Sequence, residues 1–201
     1  YLSSGTPGTV HGMYEIHKKF GKLSWEQLIQ PSITLASEGF RVTNELAEAL
    51  KSEQIKLGKF TNTKKIFFKN GEPLKKDDLL IQTDLANTLK LIATYGSDGF
   101  YKGEIAQKIA LDMSNNGGLI TTEDLSGYYS KLRDPIIFNY KNLKIASMPP
   151  PSSGGLLLGL MLNMLENFDL SDDPNDVKNI LIISEIMQIA FSLRAKHIGD
   201  E

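Results

Sequence analysis

A chain of 201 residues, 41% hydrophobic and 23% charged, has room for a sizeable core and suits one domain or part of a larger one. Its formal net charge of −2 is too small to steer nucleic acid or an anionic membrane, and with arginine only at Arg41, Arg133 and Arg194 it shows no guanidinium cluster for bidentate phosphate recognition. The lack of cysteine excludes disulfides, thiolate metal sites and a cysteine nucleophile. The longest apolar run, 156–162, falls well short of the roughly twenty residues a spanning helix needs, and no signal peptide is visible. Tyr1 in place of a start methionine, and a stop at Gly199-Asp200-Glu201 just after an amphipathic helix, lead to the expectation of a piece cut from a longer protein.

The opening stretch, Ser3-Ser4-Gly5-Thr6-Pro7-Gly8-Thr9-Val10, reads as a glycine-rich loop feeding a helix marked by Met13, Ile16, His17 and Phe20. Ser24-Trp25-Glu26-Gln27 fits a capping box, so a helix starts there. Pro31-Ser32 is expected to open a second helix that ends at Gly39. Phe40-Arg41-Val42 is extended, and Thr43 or Asn44 caps a helix that runs to Gly58. Ile66-Phe67-Phe68-Lys69 and Leu79-Leu80-Ile81 flank Asn70-Gly71, a turn signal that predicts a small β excursion.

Thr83 or Asp84 then caps a helix that stops near Gly96, and Phe100-Tyr101-Lys102-Gly103 leads into another over 104–114. A short turn starts at Thr121 or Thr122. Residues 135–140 and 142–148 predict an antiparallel hairpin about Lys141-Asn142. Three prolines in Met148-Pro149-Pro150-Pro151-Ser152-Ser153-Gly154-Gly155 end regular structure, because each fixes φ and removes a donor. Beyond them, 156–165 is apolar nearly all round and reads as a buried helix, and a last helix over 176–197 carries Ile180, Ile183, Met187, Ala190, Phe191 and Arg194 on one stripe.

Few residues here suggest chemistry. His11, His17 and His197 stand in no metal-ligand spacing, so no metal or other cofactor is expected. His17 reads as a solvated side chain, and His11 draws interest only by lying next to the glycine loop. That loop lacks the lysine of a P-loop and reads as a tight turn or an anion cradle. Ser152-Ser153 at a helix start has three readings: a nucleophile near free amides, a cap and turn, or the wall of a site built by other residues. No base stands beside the pair in sequence and no G-x-S-x-G elbow surrounds it.

Ser4-Gly5-Thr6-Pro7-Gly8-Thr9-Val10, Gly39-Phe40, Phe100-Tyr101-Lys102-Gly103, Asn116-Gly117-Gly118-Leu119-Ile120-Thr121 with Glu123-Asp124-Leu125, and Met148 to Gly155 follow one another in an order that resembles the gamma-glutamyltransferase large subunit, in its bacterial form. Leu165-Glu166-Asn167-Phe168 extends the resemblance past the prolines, and it covers nearly the whole chain as part of one domain, 1–201, from the middle to the C-terminal portion of that subunit.

The resemblance implies an α+β, mostly helical piece with a β-hairpin, part of an αββα N-terminal-nucleophile hydrolase sandwich. It implies a precursor that cleaves itself into two subunits. The new N-terminal threonine of the small subunit then attacks the γ-glutamyl amide of glutathione, and water or an acceptor amino acid or peptide takes the acyl group. The small subunit, glutathione or related γ-glutamyl compounds and the acceptors are thus the implied partners, without nucleic acid or membrane, and the implied location is periplasmic or secreted. The family's substrate-gripping arginine lies upstream of Ser4, so Arg41, Arg133 and Arg194 do not match it. The threonine and the oxyanion glycines belong to the small subunit, and Ser152-Ser153 belongs to a different motif from that subunit's serine pair. No catalytic or substrate-binding residue is therefore assigned within the chain. The alternatives are a sister acylase or poly-γ-glutamate transpeptidase, and a non-enzymatic anion-binding or structural module.

Overall fold

The computed structural model describes residues 1–198, and the chain falls into two units, Tyr1–Ser130 and a second from Lys131 on. In the first, α1 (Thr9–Phe20) follows the glycine-rich loop, with Gly8 at its N-cap. The capping box forms: Ser24 Oγ accepts from the Gln27 N–H at 3.2 Å, and Gln27 Oε1 accepts from the Ser24 N–H at 3.1 Å. It starts α2 (Trp25–Glu38), one helix where the sequence suggested two, with Pro31 inside it. The proline sits mid-helix and removes a single backbone bond there, while docking along α6 (Thr83–Tyr95) holds both sides of it. Trp25 Nε1 donates to the Ile92 carbonyl at 2.8 Å, and the Gln82 N–H donates to the Ala36 carbonyl at 2.9 Å.

After β1 (Phe40–Arg41), Thr43 caps α3 (Asn44–Ser52) by accepting from the Leu46 N–H at 3.2 Å. The expected single helix breaks at Glu53, which sits at φ −97° and ψ 8°, and α4 (Gln54–Leu57) resumes it. Ile66 and Phe67, expected in a strand, finish α5 (Thr61–Phe67). Only β2 (Phe68–Lys69) and β3 (Glu72–Pro73) form the hairpin, with Asn70 at φ 53° and Gly71 at φ 87° in its turn. β4 (Leu79–Leu80) pairs instead with β1, Phe40 opposite Leu80 and Arg41 opposite Leu79. That pairing places Leu80 in one buried cluster with Val42, Leu50 and Leu74.

Two short helices and a longer one complete the unit: α7 (Asp98–Tyr101), α8 (Gly103–Asn115) and α9 (Thr122–Ser126). α6 takes Gln82 at its N-cap, without a side-chain cap from Thr83 or Asp84. Thr121 caps α9 in a second box with Asp124. Tyr101, Ala106, Ile120 and Leu125 make a second buried cluster, with Val10 and Tyr128 packed on it.

In the second unit, β5 (Ile136–Tyr140) and β6 (Leu143–Ser147) form the expected hairpin, in register from Ile136 opposite Ser147 to Tyr140 opposite Leu143. α10 (Gly154–Leu165) lies on it, and Gly159 lets the Phe138 ring approach the helix backbone. α11 (Val177–His197) packs along α10. A buried Asn179 knots the connection between them: its amide donates to the Ser171 carbonyl at 3.0 Å and the Asp173 carbonyl at 2.9 Å, and its oxygen accepts from the Ser171 N–H at 3.1 Å.

The face α11 buries differs from the stripe read in the sequence. Asn179, Ile186 and Ala190 are buried, while Ile180, Ile183, Met187 and Phe191 stay exposed. The helix is apolar on several sides, so its partner α10, and not its periodicity, selects the buried face. No helix among the described residues is long and apolar enough to cross a membrane.

Candidate functional site

The proline hinge and the glycine loop are the two places where the sequence suggested chemistry. At the hinge the Pro150-Pro151 bond is cis, and β6 gives way to α10 across the half-buried Ser152 and Ser153. Gly155 makes this corner possible, because a Cβ there would land on the Met148 carbonyl oxygen. Ser153 occupies the N-cap but makes no side-chain cap. Its Oγ accepts instead from Arg194 Nε at 2.9 Å, which ties the start of α10 to the last turn of α11. Ser152 Oγ accepts from the Gly154 N–H at 3.3 Å.

Both serines therefore face donors. A guanidinium remains protonated and takes no proton from a hydroxyl, so these contacts supply cap and corner chemistry but not the base a nucleophile needs. The link from Arg194 to Ser153 has no signal in the sequence: it spans 41 positions, and nothing near either residue marks it.

At the glycine loop, Tyr101 reaches from α7 to the start of α1. Its hydroxyl donates to the Pro7 carbonyl at 2.6 Å and accepts from the His11 N–H at 3.2 Å. The phenol thus serves a first-turn amide of α1 that has no intrahelical partner, an amide that a bound anion would otherwise use. Gly8 is required because a Cβ would collide with the Tyr128 hydroxyl. Tyr128 stacks on Tyr101 with ring centroids 5.4 Å apart and planes 8° from parallel, and the His11 ring stands edge-on to both at 6.0 Å. Burial pushes the Tyr101 phenol above its ordinary range. His11 Nδ1 lies 2.8 Å from Ser130 Oγ and accepts from the Ser130 N–H at 3.2 Å.

The other candidates stand apart from these clusters. His17 is half-buried beside Trp25, contrary to the solvated reading, and its Nε2 lies 2.8 Å from the Leu23 carbonyl across the turn after α1. His197 lies in the last turn of α11. Arg41 Nη1 donates to the Asp77 carbonyl at 2.9 Å, and Arg133 is exposed ahead of β5. Among the described residues no group of three or more His, Cys, Asp or Glu is placed to hold a metal ion. In the second unit an open groove of about 460 Å³ is lined by Met164, Phe168, Leu181, Ile182, Ile186 and Ile189, with Asn167 and Glu185 at its margin.

The family described as gamma-glutamyltranspeptidase matches residues 1–201. The glutathione hydrolase proenzyme of Escherichia coli strain K12 is 44% identical over 202 residues, covering 100% of this chain and 35% of that protein. The crystal structure of Helicobacter pylori gamma-glutamyltranspeptidase is 44% identical and superposes with a TM-score of 0.96, over 100% of this chain and 58% of that one. The Bacillus anthracis transpeptidase CapD is 35% identical with a TM-score of 0.86, over 98% of this chain and 68% of that one. The chain spans about a third of the length of the curated relatives it matches.

Proposed function

Because the chain belongs to the gamma-glutamyltranspeptidase family, we propose that it is the middle to C-terminal part of the large subunit of an enzyme that transfers or hydrolyses the γ-glutamyl group of glutathione and related γ-glutamyl amides. The observation that carries this reading is the match across all 201 residues, joined to a TM-score of 0.96 over the full chain. The nucleophile is an N-terminal threonine on the small subunit of the same precursor, outside these residues. Residues 1–201 contribute scaffold, and no catalytic or substrate-binding role falls on them. The donor-facing environment of Ser152 and Ser153 supports that assignment.

The exposed apolar side of α11 and its groove are the surface that the rest of the polypeptide covers. Acceptors are amino acids or peptides, and the protein works in the periplasm or outside the cell. Fractionation of the source cells tests that location, and recovery with cytoplasmic markers overturns it.

The activity is tested with a γ-glutamyl anilide. The full-length polypeptide should release the aniline, and residues 1–201 alone should not. Turnover by residues 1–201 that disappears when Ser152 and Ser153 are changed to alanine would sink the assignment. A second reading, a transpeptidase acting on another γ-glutamyl polymer or amide, is favoured by the similarity to CapD. Failure of the full-length protein to turn over glutathione, with activity on poly-γ-glutamate, selects it.

A further inference from the structure

The small net charge of the chain conceals an uneven distribution. Residues 54–71 hold five lysines and no carboxylate, so the remainder of the chain carries seven negative charges in excess. This stretch comprises α4, α5, β2 and the turn after it. Its inward side is apolar, with Leu57, Ile66 and Phe67 packed on the Val42 cluster. Its outward side holds Ile55 at 80% exposure and Phe60 at 57%, set among the lysines. Ile55 lies two residues from Leu57 on α4, about 200° around the helix, and so turns away from the cluster that Leu57 joins.

The lysines gather around those two side chains. Lys59 and Phe60 link α4 to α5, and α5 returns Lys64 to the end of α4, where its Cε stands 3.9 Å from the place a Cβ on Gly58 would take. Flanking carboxylates engage only the outer members: Glu53 lies 3.3 Å from Lys56, and Asp78 lies 3.3 Å from Lys69. Among the described residues no ion pair engages Lys59, Lys64 or Lys65.

We propose that the α4–α5 face is a docking surface for an anionic lipid bilayer, with Ile55 and Phe60 entering the headgroup layer and Lys59, Lys64 and Lys65 meeting lipid phosphates. Unlike the bare side of α11, this face resists a protein cover, which would strip water from three unpaired ammonium groups. A bilayer surface leaves them hydrated beside phosphate while the two apolar side chains leave water. Lysine suits the task, because a point charge needs no fixed geometry from mobile headgroups. A soluble polyanion would use the lysines but leave Ile55 in water. With α4 and α5 only four and seven residues long, the contact lies on the bilayer and does not span it.

Flotation of the full-length polypeptide with vesicles tests this, using phosphatidylcholine alone and an equal mixture of phosphatidylcholine and phosphatidylglycerol. The protein should rise with the mixed vesicles only, and less so as salt is raised. Lys59→Gln, Lys64→Gln and Lys65→Gln combined should weaken binding by at least about tenfold, since each lysine near such a surface contributes about fivefold. Ile55→Ser with Phe60→Ser should weaken it by about tenfold as well, with every lysine in place. Absence of binding to the mixed vesicles, or binding that either variant retains at the strength of the parent, overturns the proposal. Retention by the Ile55 and Phe60 variant alone, with displacement by soluble polyglutamate, marks a dissolved polyanion as the partner instead.

Discussion

At the scale of single residues, Tyr101 stands out because one hydroxyl serves two backbone groups 90 and 94 positions away in sequence, the His11 N–H and the Pro7 carbonyl. Tyr101→Phe keeps the ring stack and the packing on Leu125 but leaves a donor and an acceptor unmade. An unmade bond of this kind costs about 1–3 kcal/mol when fully buried, and the partial exposure around His11 places the loss near the lower end. Urea unfolding should show the lower midpoint with an unchanged slope. None of this was legible in the chain beforehand. Tyr101 belongs to a landmark motif, but a contact over that separation leaves no periodic or local trace in either segment, and the same holds for Arg194 and Ser153.

Among elements, the legible features were those whose partners lie within a turn. Ser24 with Gln27, Thr43 with Leu46, and the Lys141 turn of the hairpin all form as their local chemistry dictates. Asp124 in the α9 box is the titratable case. Its carboxylate accepts from the Thr121 N–H at 2.9 Å and from the Thr121 hydroxyl at 2.8 Å, and these bonds hold it below the usual carboxylate range. A group depressed in the folded state contributes its stability above its unfolded value and loses it as pH falls through the folded one. Asp124→Asn should therefore be less stable than the parent at neutral pH, and the gap should close in acid below about pH 4, where the unfolded carboxyl is protonated. Chemical denaturation across that range measures it. β4 forms where its sequence places a strand, but its partner is not legible there, for the opposite reason: two-residue strands pair by which side chains the core accepts, and Leu80 reaches the Val42 cluster only beside β1.

For the molecule as a whole, the ordered motifs marked the family, and the hinge, the hairpin and the helix order all follow from short stretches of sequence. The orientation of α11 does not, because a helix apolar on several sides fits more than one rotation. The side it leaves open supplies a test of what covers it. Ile180→Ala and Phe191→Ala should change the stability of residues 1–201 by no more than about 0.5 kcal/mol, as exposed substitutions do. The same changes in the full-length polypeptide should cost about 2–5 kcal/mol each, as buried truncations do. Thermal unfolding of both forms compares them, and equal small effects in the two would remove the covering surface.

The Asn179 knot also decides where foreign sequence can be placed. With Ser171 and Asp173 bound to one buried amide, the run from 171 to 179 has a set length, and an epitope or reporter domain inserted there would pull the carbonyls off their donor. The Asn70-Gly71 turn imposes no such condition: a Cβ at Gly71 meets nothing within 4 Å, and the strands it joins are two residues long. An engineer adding a fluorescent tag should find the first connection closed to insertion and the second open.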